Sequence, residues 1–508
     1  MTSNTDAAVS RLPLSGPASR VQPLGWLSIA LVFVLAVLLR QFVPLNTDVS
    51  WLLTIGERVL DGQRLYVDIV EINPPMAVIA YLPGIALARA LGLDPKIVID
   101  GQMLLLAAAS LLATWRILTL SSTSGHARWA PLAVWAAAVL TILPMDVFGQ
   151  REHIATLTFL PALAVYALRG NRERVPFWAG VIAGIGTGVT LAFKPYFVVP
   201  TMLCVILPAI RTHSWRALFA PENAVAGGFV TAFSCYTYIA YSEYFSLTYP
   251  LVRDTYLSWS MPASVFMFNS ATLIWAVATI AILSEYRKTK RDSTALVILL
   301  ASLGFGISFV LQRRGWPYQS YPMVAVALLG VGYMIFGDSY PRPGSRRFNV
   351  IGMSVMAATF ILGILWFDAR VYVGPIDGTI AVLKPNPRIM VLSGEAAIGH
   401  PLVRTLHGVW VSRQEALWIR EFVRLTRENN TIDPPTDAKL KSYLALERSW
   451  LIEDFKKLPP DIVLVDNLRD GWGEWARADA ELTQLLKPYS LVRTIEGIDI
   501  LRRMEDRK

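Results

Sequence analysis

Several ionisable side chains in this sequence interrupt apolar runs, and their types suit one chemistry. Asp48 follows the first long apolar run, in "VPLNTDVSWLL". Arg151 is the centre of the pentapeptide "GQREH", which separates two further runs. Lys194 breaks "GIGTGVTLAFKPYFVV", and Arg313 and Arg314 stand together in "LQRRGWPYQSYP". Arginine offers a two-pronged donor fork to phosphate oxygens and lysine a compact point charge. A carboxylate at the same depth can take a proton from a hydroxyl. Together these groups would hold the phosphate of a lipid-linked substrate while the acid activates a hydroxyl. Each has a plainer reading. Asp48 would cap the helix it opens, Lys194 would extend its head from a helix end into the interface, and the arginine pair would be ordinary loop charge. Tyr244, Phe245, Tyr249, Tyr256 and Trp259 either stack on sugar faces or form the usual interfacial aromatic belt.

The elements that position these residues are membrane helices. The chain has 508 residues, 54% hydrophobic and 17% charged, with a mean hydropathy of +0.44. About 20 apolar residues cross a hydrocarbon core of about 30 Å. Runs of that kind recur around 24–43, 97–119, 130–147, 152–168, 176–193, 195–210, 223–242, 264–283, 294–311, 322–337 and 348–367. The expectation is a polytopic α-helical membrane protein with about eleven crossings. No small-residue cleavage site follows the first run, which fits an uncleaved anchor. Cys204 and Cys235 fall within expected spans, which supports neither a disulfide framework nor a thiolate metal site. The net charge of +9 sits largely in short loops, where it sets topology and does not imply nucleic acid.

Basic loops mark the cytoplasmic side. They are 168–176, 211–219, 286–292 and 340–348, with Arg128 as a weaker member. Between them fall 44–96, 147–152, Lys194, 243–263 and 312–321. This alternation puts an N-terminal tail (1–23) in the cytoplasm and a membrane domain at 24–368, with a first external loop at 44–96. It holds only if 74–92 does not cross. That stretch opens with Pro74-Pro75, contains Pro83-Gly84 and carries Arg89, so it reads as a juxtamembrane or re-entrant segment. From 369 to 508 charge becomes frequent and short strand-like runs appear at 388–393, 461–466, 489–495 and 497–503, with helical patterns at 412–428 and 437–457. This is expected to be an extracytoplasmic α/β domain. The whole reads as a multi-pass protein of a bacterial inner membrane.

The segment "NTDVSWLLTIGERVLDGQRLYVDIVEINPPMAVIAYLPG" carries an acid just after the first span, a "G…LL.G…Y.D" helix and turn, and a Pro-Pro entry to the juxtamembrane segment. A polar break before the fourth crossing and the small-residue helix ending at Lys194 follow in order. On these features the chain resembles the membrane glycosyltransferases of the C superfamily (GT-C). That group includes protein O-mannosyltransferases and the aminoarabinose and galacturonic acid transferases of lipid A and core. The likeness loosely covers residues 24–330. It implies a polyprenyl-phosphate sugar donor, Asp48 as general base, and Lys194 beside the donor phosphate with Arg151, Arg313 and Arg314. It further implies substrate contacts from Tyr66, Asp68, Glu71, Glu152, His153, Trp316 and Tyr318, although His153 also fits a local hydrogen-bonding role. Val49 stands where the family often has a second acid, and Asn73-Pro74-Pro75 where a Lys-Pro pair is common. These departures leave the acceptor open among polysaccharide, lipid and protein.

The expected reaction is an inverting transfer without a cofactor, the cations doing the electrostatic work of a metal. A divalent ion on Asp48 and Glu152 is the less favoured variant. Two other classes compete: a transporter or flippase for a lipid-linked substrate, and a scaffold for envelope assembly. A transporter should show repeat symmetry and ionisable groups at mid-membrane, whereas here they gather at one surface.

Overall fold

The computed structural model describes residues 23–121, 129–286, 293–337, 346–368, 376–429, 432–468 and 471–504. The expected N-terminal tail (apart from residue 23), Arg128 and parts of the basic loops at 286–292 and 340–348 lie outside the described residues.

Most apolar runs fold as helices close to their expected bounds, but the helix of the 130–147 run ends at Thr141 and the 264–283 run is divided at 268–269. In order these are α1 (Pro23–Phe42), the amphipathic α2 (Thr47–Leu60), the short α3 (Met76–Ile79) and α4 (Leu82–Leu91), then α5 (Pro95–Leu118), α6 (Trp129–Thr141), α7 (Arg151–Gly170) and α8 (Phe177–Phe193). After Lys194 come α9 (Val198–Thr212), α10 (Pro221–Ala240), the loop helices α11 (Tyr249–Asp254) and α12 (Ala263–Met267), then α13 (Ser270–Tyr286), α14 (Ser293–Gln312), α15 (Pro317–Phe336) and α16 (Arg346–Phe367). By length and composition, five helices among the described residues are apolar enough to cross a membrane: α1, α5, α9 with its preceding 3-10 turn, α14 and α15. Several shorter apolar helices stand beside them.

α7 and α15 are buried along most of their length. A helix enclosed on all sides is the centre of a bundle; α5, α8, α9 and α14 pack on α7, and α6, α13, α14 and α16 on α15. α8 reaches its neighbours through glycines. Gly180, Gly184 and Gly188 face α10, and a Cβ at Gly184 would lie 2.6 Å from the Glu222 carbonyl oxygen. Gly186 faces the other way, and a Cβ there would lie 2.0 Å from the Thr158 carbonyl oxygen of α7. Small residues four apart allow backbones this close in a bilayer, where dispersion and not water expulsion drives packing.

The 74–92 stretch is two short helices broken at Ala80-Tyr81. Gly92, at φ 66°, ends α4 in the left-handed conformation. Arg89 donates to Asp61 and to the Glu57 carbonyl, so this end of α4 is held to the end of α2.

Beyond the bundle lie α17 (Ile376–Leu383), β1 (Arg388–Leu392), α18 (Leu402–Thr405), β2 (Val409–Trp410), α19 (Trp418–Asn429), α20 (Pro434–Lys457), β3 (Ile462–Asp466), α21 (Trp472–Ala478), α22 (Ala480–Leu486), β4 (Tyr489–Ile495) and β5 (Ile498–Arg503). The strands form one sheet in the order β2-β1-β3-β5-β4, with the β2, β1 and β3 pairs parallel and the rest antiparallel. Strand β2 had no sequence signal, being only two residues long. Residues 412–417 form a turn, so the expected helix from 412 begins only at Trp418.

Alternate residues of the sheet serve two cores. Ile389, Val391, Ile462, Leu464, Ile498 and Ile500 pack onto Trp51, Leu52, Tyr66 and Met76 of the first loop. Met390, Leu392, Val463 and Val465 pack against Leu451, Phe455 and Trp472. Polar ties reinforce the first face: Arg404 grips Glu57 with two bonds of 2.8 and 2.9 Å, and Arg58 donates to the Ser412 carbonyl at 2.8 Å.

Candidate active site

Asp48 occupies the second position of α2, and the capping residue is Asn46, whose side chain accepts from the Asp48 backbone amide at 2.9 Å. The capping role considered for Asp48 therefore belongs to its neighbour, and the Asp48 carboxylate is left for other work. It accepts from Arg151 Nη2 at 2.8 Å. Asn46 is itself held on both sides. It donates to Asp146 at 2.7 Å and accepts from Gln150. Arg40, at the end of α1, fixes the turn carrying Asp146 through a 2.8 Å bond to the Met145 carbonyl.

The "GQREH" turn explains its own composition. Gly149, at φ 80°, makes the turn, and its carbonyl accepts from Tyr81, between α3 and α4, at 2.6 Å. Arg151 then opens α7 facing the cavity. Glu152 turns inward, fully buried, and accepts from Lys194. His153 is buried and closes a local loop: Nδ1 accepts from the Gly149 amide at 3.0 Å, and Nε2 lies 2.8 Å from the Leu140 carbonyl, to which it donates.

Lys194 stands where helix geometry fails, with φ −147° and ψ 126° between α8 and a 3-10 turn started by Pro195. Its ammonium also donates to Gln312 at 3.0 Å and lies 5.4 Å from the Tyr318 ring centroid. The Arg151 guanidinium lies 5.9 Å from the same ring. Both cations thus lie within cation–π reach of one ring.

Asn46, Asp48, Arg151, Lys194 and Tyr318 border one cavity of about 410 Å³. Every segment that the charge alternation assigned to the non-cytoplasmic side contributes a lining residue: Asp48 and Glu71 from the first loop, Arg151, Lys194, Tyr256 with Trp259, and Trp316 with Tyr318. Glu71 is buried and receives the Trp51 indole at 2.8 Å, the Asn73 amide at 2.8 Å and the Asn73 side chain. Burial pushes its carboxyl above the usual range, although Arg151 and these donors pull the other way. Arg151 is 3% exposed, and its Nε and Nη1 have no hydrogen-bond partner among the described residues. Buried guanidinium donors without partners on a cavity wall suit a bound anion.

Several expected contacts lie elsewhere. Arg314 is buried outside the cavity lining and donates to the carbonyls of Tyr256 and Trp259, pinning that loop from behind. Arg313 is exposed, with φ 52°, and does not border the cavity either. Tyr66 uses its hydroxyl on the Asn73 carbonyl at 2.6 Å. Asp68 accepts from the Arg64 amide at the loop surface. His153 and Glu152 support the site without lining it. Of the aromatics, Tyr256 and Trp259 reach the cavity, whereas Tyr244, Phe245 and Tyr249 do not.

Sequence reasoning missed two contributions. The Asn46–Asp146–Gln150 network had no motif to reveal it. The other is the C-terminal unit, which supplies Ser393 to Ala397, Glu415, Trp418 and Asp466 to the far wall. Glu415 is half-buried; burial, then the nearby Asp48 and Glu71, push its carboxyl well above the usual range.

No family model matches the chain, and no curated protein matches it by sequence. Among solved structures the chain is similar to ArnT from Cupriavidus metallidurans bound to undecaprenyl phosphate. The identity is 15%, with 95% of this chain and 99% of that chain covered and a TM-score of 0.60. The same protein in its apo state gives 14% identity, 94% and 98% coverage, and a TM-score of 0.60. The mycobacterial arabinofuranosyltransferase AftD matches at 14% identity over 94% of this chain and 40% of that one, with a TM-score of 0.45. The chain therefore has the fold seen in ArnT, shared over nearly the full length of both chains.

Proposed function

We propose that the chain is a membrane glycosyltransferase that moves a sugar from a polyprenyl-phosphate donor to an envelope acceptor on the extracytoplasmic face. The observation that carries this reading is the meeting of Asp48 with Arg151 and Lys194 on one cavity wall, two Arg151 donor nitrogens having no hydrogen-bond partner among the described residues. The shared fold with ArnT, solved with undecaprenyl phosphate, supports it. The three parts come from the segments opposite the basic loops, which supports a site on the outer face.

In this reading the donor phosphate lies against Arg151 and Lys194. Asp48 accepts the proton of an acceptor hydroxyl as that oxygen attacks the anomeric carbon. The bond from that carbon to the phosphate oxygen breaks on the opposite side, so the configuration inverts, and the lipid phosphate leaves with its extra negative charge. The fixed cations stabilise that charge as it grows, a role worth about 3–4 kcal/mol per donor in enclosed sites. The proton passes from Asp48 to water after release.

The test is transfer from a radiolabelled undecaprenyl-phosphate sugar, in nanodiscs holding the intact protein with envelope extract as acceptor. Label should move into an acceptor fraction, and Lys194→Ala should raise the donor KM by about tenfold. No transfer from any lipid-phosphate sugar offered would exclude the reading.

A further inference from the structure

Asp48 and Arg151 are bonded to each other, and each keeps a free polar end. The Asp48 carboxylate accepts from Arg151 Nη2 through Oδ2 at 2.8 Å, and its Oδ1 takes no hydrogen bond among the described residues. Arg151 has Nε and Nη1 without a hydrogen-bond partner among the described residues. Both residues line the cavity. The Asp48 side chain is 27% exposed, so a proton placed there can reach water, whereas the Arg151 side chain is buried.

The neighbouring charges are bonded elsewhere. Lys194 donates to Glu152 and to Gln312. Glu71 accepts from Trp51 and from Asn73. Asp48 is thus the one acid bonded to Arg151 among the described residues. A buried guanidinium that loses its carboxylate is left as an uncompensated charge, which is costly. It then gains most from whichever anion remains within reach.

The transfer step changes both anions together. Before it, Asp48 is a carboxylate and the donor phosphate is a diester with one negative charge. As the acceptor oxygen bonds to the anomeric carbon, its proton goes to Asp48. The electron pair of the broken carbon–oxygen bond goes to the phosphate. Asp48 ends neutral, and the lipid phosphate ends as a monoester with two negative charges. One negative charge has passed from carboxylate to phosphate. Arg151 touches the first and has open donors for the second.

We propose that Arg151 hands its ion pair from Asp48 to the lipid phosphate during transfer and takes it back afterwards. The lipid phosphate is therefore held while Asp48 carries the proton and released once Asp48 is a carboxylate again. This rests on the glycosyltransferase reading above and adds to it what governs release of the lipid product. Once the glycosylated acceptor has left, water takes the proton from Asp48. The restored carboxylate competes for Nη2, and the lipid phosphate departs.

The experiment measures binding of the lipid product and needs no turnover. Intact protein is placed in nanodiscs containing undecaprenyl phosphate at graded mole fractions, and saturation is followed by tryptophan fluorescence, since Trp51, Trp259 and Trp316 line the cavity. The pH is about 8, where a phosphate monoester with a second pKa of about 6 is a dianion. Asp48→Asn stands for the protonated acid. It is compared with the parent, with Arg151→Ala and with the double variant, in which no charge is stranded.

Repulsion between Asp48 and the phosphate would tighten binding by the same factor with and without Arg151, whereas the hand-over needs the guanidinium. Asp48→Asn should tighten binding by a factor about tenfold larger when Arg151 is present than when it is absent. Equal factors, or no tightening by Asp48→Asn in the parent, would overturn the hand-over and leave the enzyme reading intact. No saturable response from either the parent or Asp48→Asn would overturn both. Should Arg151→Ala fail to fold, Arg151→Gln, which keeps a polar side chain without the charge, supplies the same comparison.

Discussion

The Arg151 guanidinium touches Asp48 with one nitrogen, at 2.8 Å, and its Nε and Nη1 have no hydrogen-bond partner among the described residues. Two α-helices from distant parts of the chain thus bring the candidate base and a guanidinium fork into direct contact. The contact fixes the carboxylate's direction and leaves the fork's remaining donors for an anion.

Replacing Arg151 separates charge from geometry. Lysine keeps the charge but not the fork, so Arg151→Lys should lose about tenfold in kcat/KM for the donor, and Arg151→Ala a hundredfold or more. Steady-state kinetics in nanodiscs would measure both. Equal activity of the lysine variant and the parent would mean that the fork is not used.

The Glu152–Lys194 pair supports the site from behind. Glu152 is fully buried and Lys194 nearly so. Removing one partner of a buried ion pair strands the other charge, at a cost of about 3–5 kcal/mol. Glu152→Gln should accordingly lower the thermal midpoint well below the parent's, read by tryptophan fluorescence in detergent. A midpoint within 1 °C of the parent would show that the pair does not hold α7 to Lys194.

Packing of α8 provides a prediction independent of chemistry. A Cβ at Gly186 would meet the Thr158 carbonyl at 2.0 Å, a contact only a backbone shift can relieve. Gly186→Ala should cost about 1–3 kcal/mol. Gly227→Ala, on α10 with nothing within 4 Å, should be neutral or slightly stabilising, since alanine favours helix. Paired melting curves would show the contrast.

His400 makes the joint between the C-terminal unit and α2 sensitive to acid. It is buried between Trp51 and Trp410, at 5.4 and 4.5 Å, and neither ring nitrogen is bonded among the described residues. Burial, then Arg404, lowers its pKa to about 3. A histidine whose folded pKa lies below its unfolded value near 6.5 costs stability wherever only the unfolded form is protonated. Stability should be flat above pH 7 and fall as pH drops from about 6.5 toward 3, by up to about 1.4 kcal/mol per unit. His400→Gln should flatten that slope. Asp254 works in the other sense. Burial raises it, but bonds from Arg253, Lys439 and Tyr443 outweigh that and hold it at about 2. Its contribution persists above about pH 4 and is lost only as pH falls toward 2.

Much of this was legible in the sequence because a bilayer imposes few solutions. Apolar length marked each long helix, and Pro195 after Lys194 marked the break that places the lysine on the cavity wall. The alternation of basic loops picked out segments that do meet in one cavity. Asp48 was found by its place after a span, but its freedom from capping required Asn46 to be seen bonded to the Asp48 amide. Arg313 and Arg314 misled because a loop charge carries no direction: Arg314 turns to backbone carbonyls that only the folded 256–259 segment presents. The far wall was illegible for a related reason. Glu415 and Asp466 lie more than 360 residues from Asp48 in the chain, and only the parallel arrangement of β1, β2 and β3 carries them there.

The most direct measurement is single-turnover transfer by Asp48→Asn, in nanodiscs with a saturating radiolabelled lipid-phosphate sugar and purified acceptor. Loss of a general base costs about 10²–10⁴ in rate, so the variant should fall by at least a hundredfold while eluting and melting as a folded protein. A rate within tenfold of the parent would contradict Asp48 as the base and, with it, the mechanism built around the Arg151 contact.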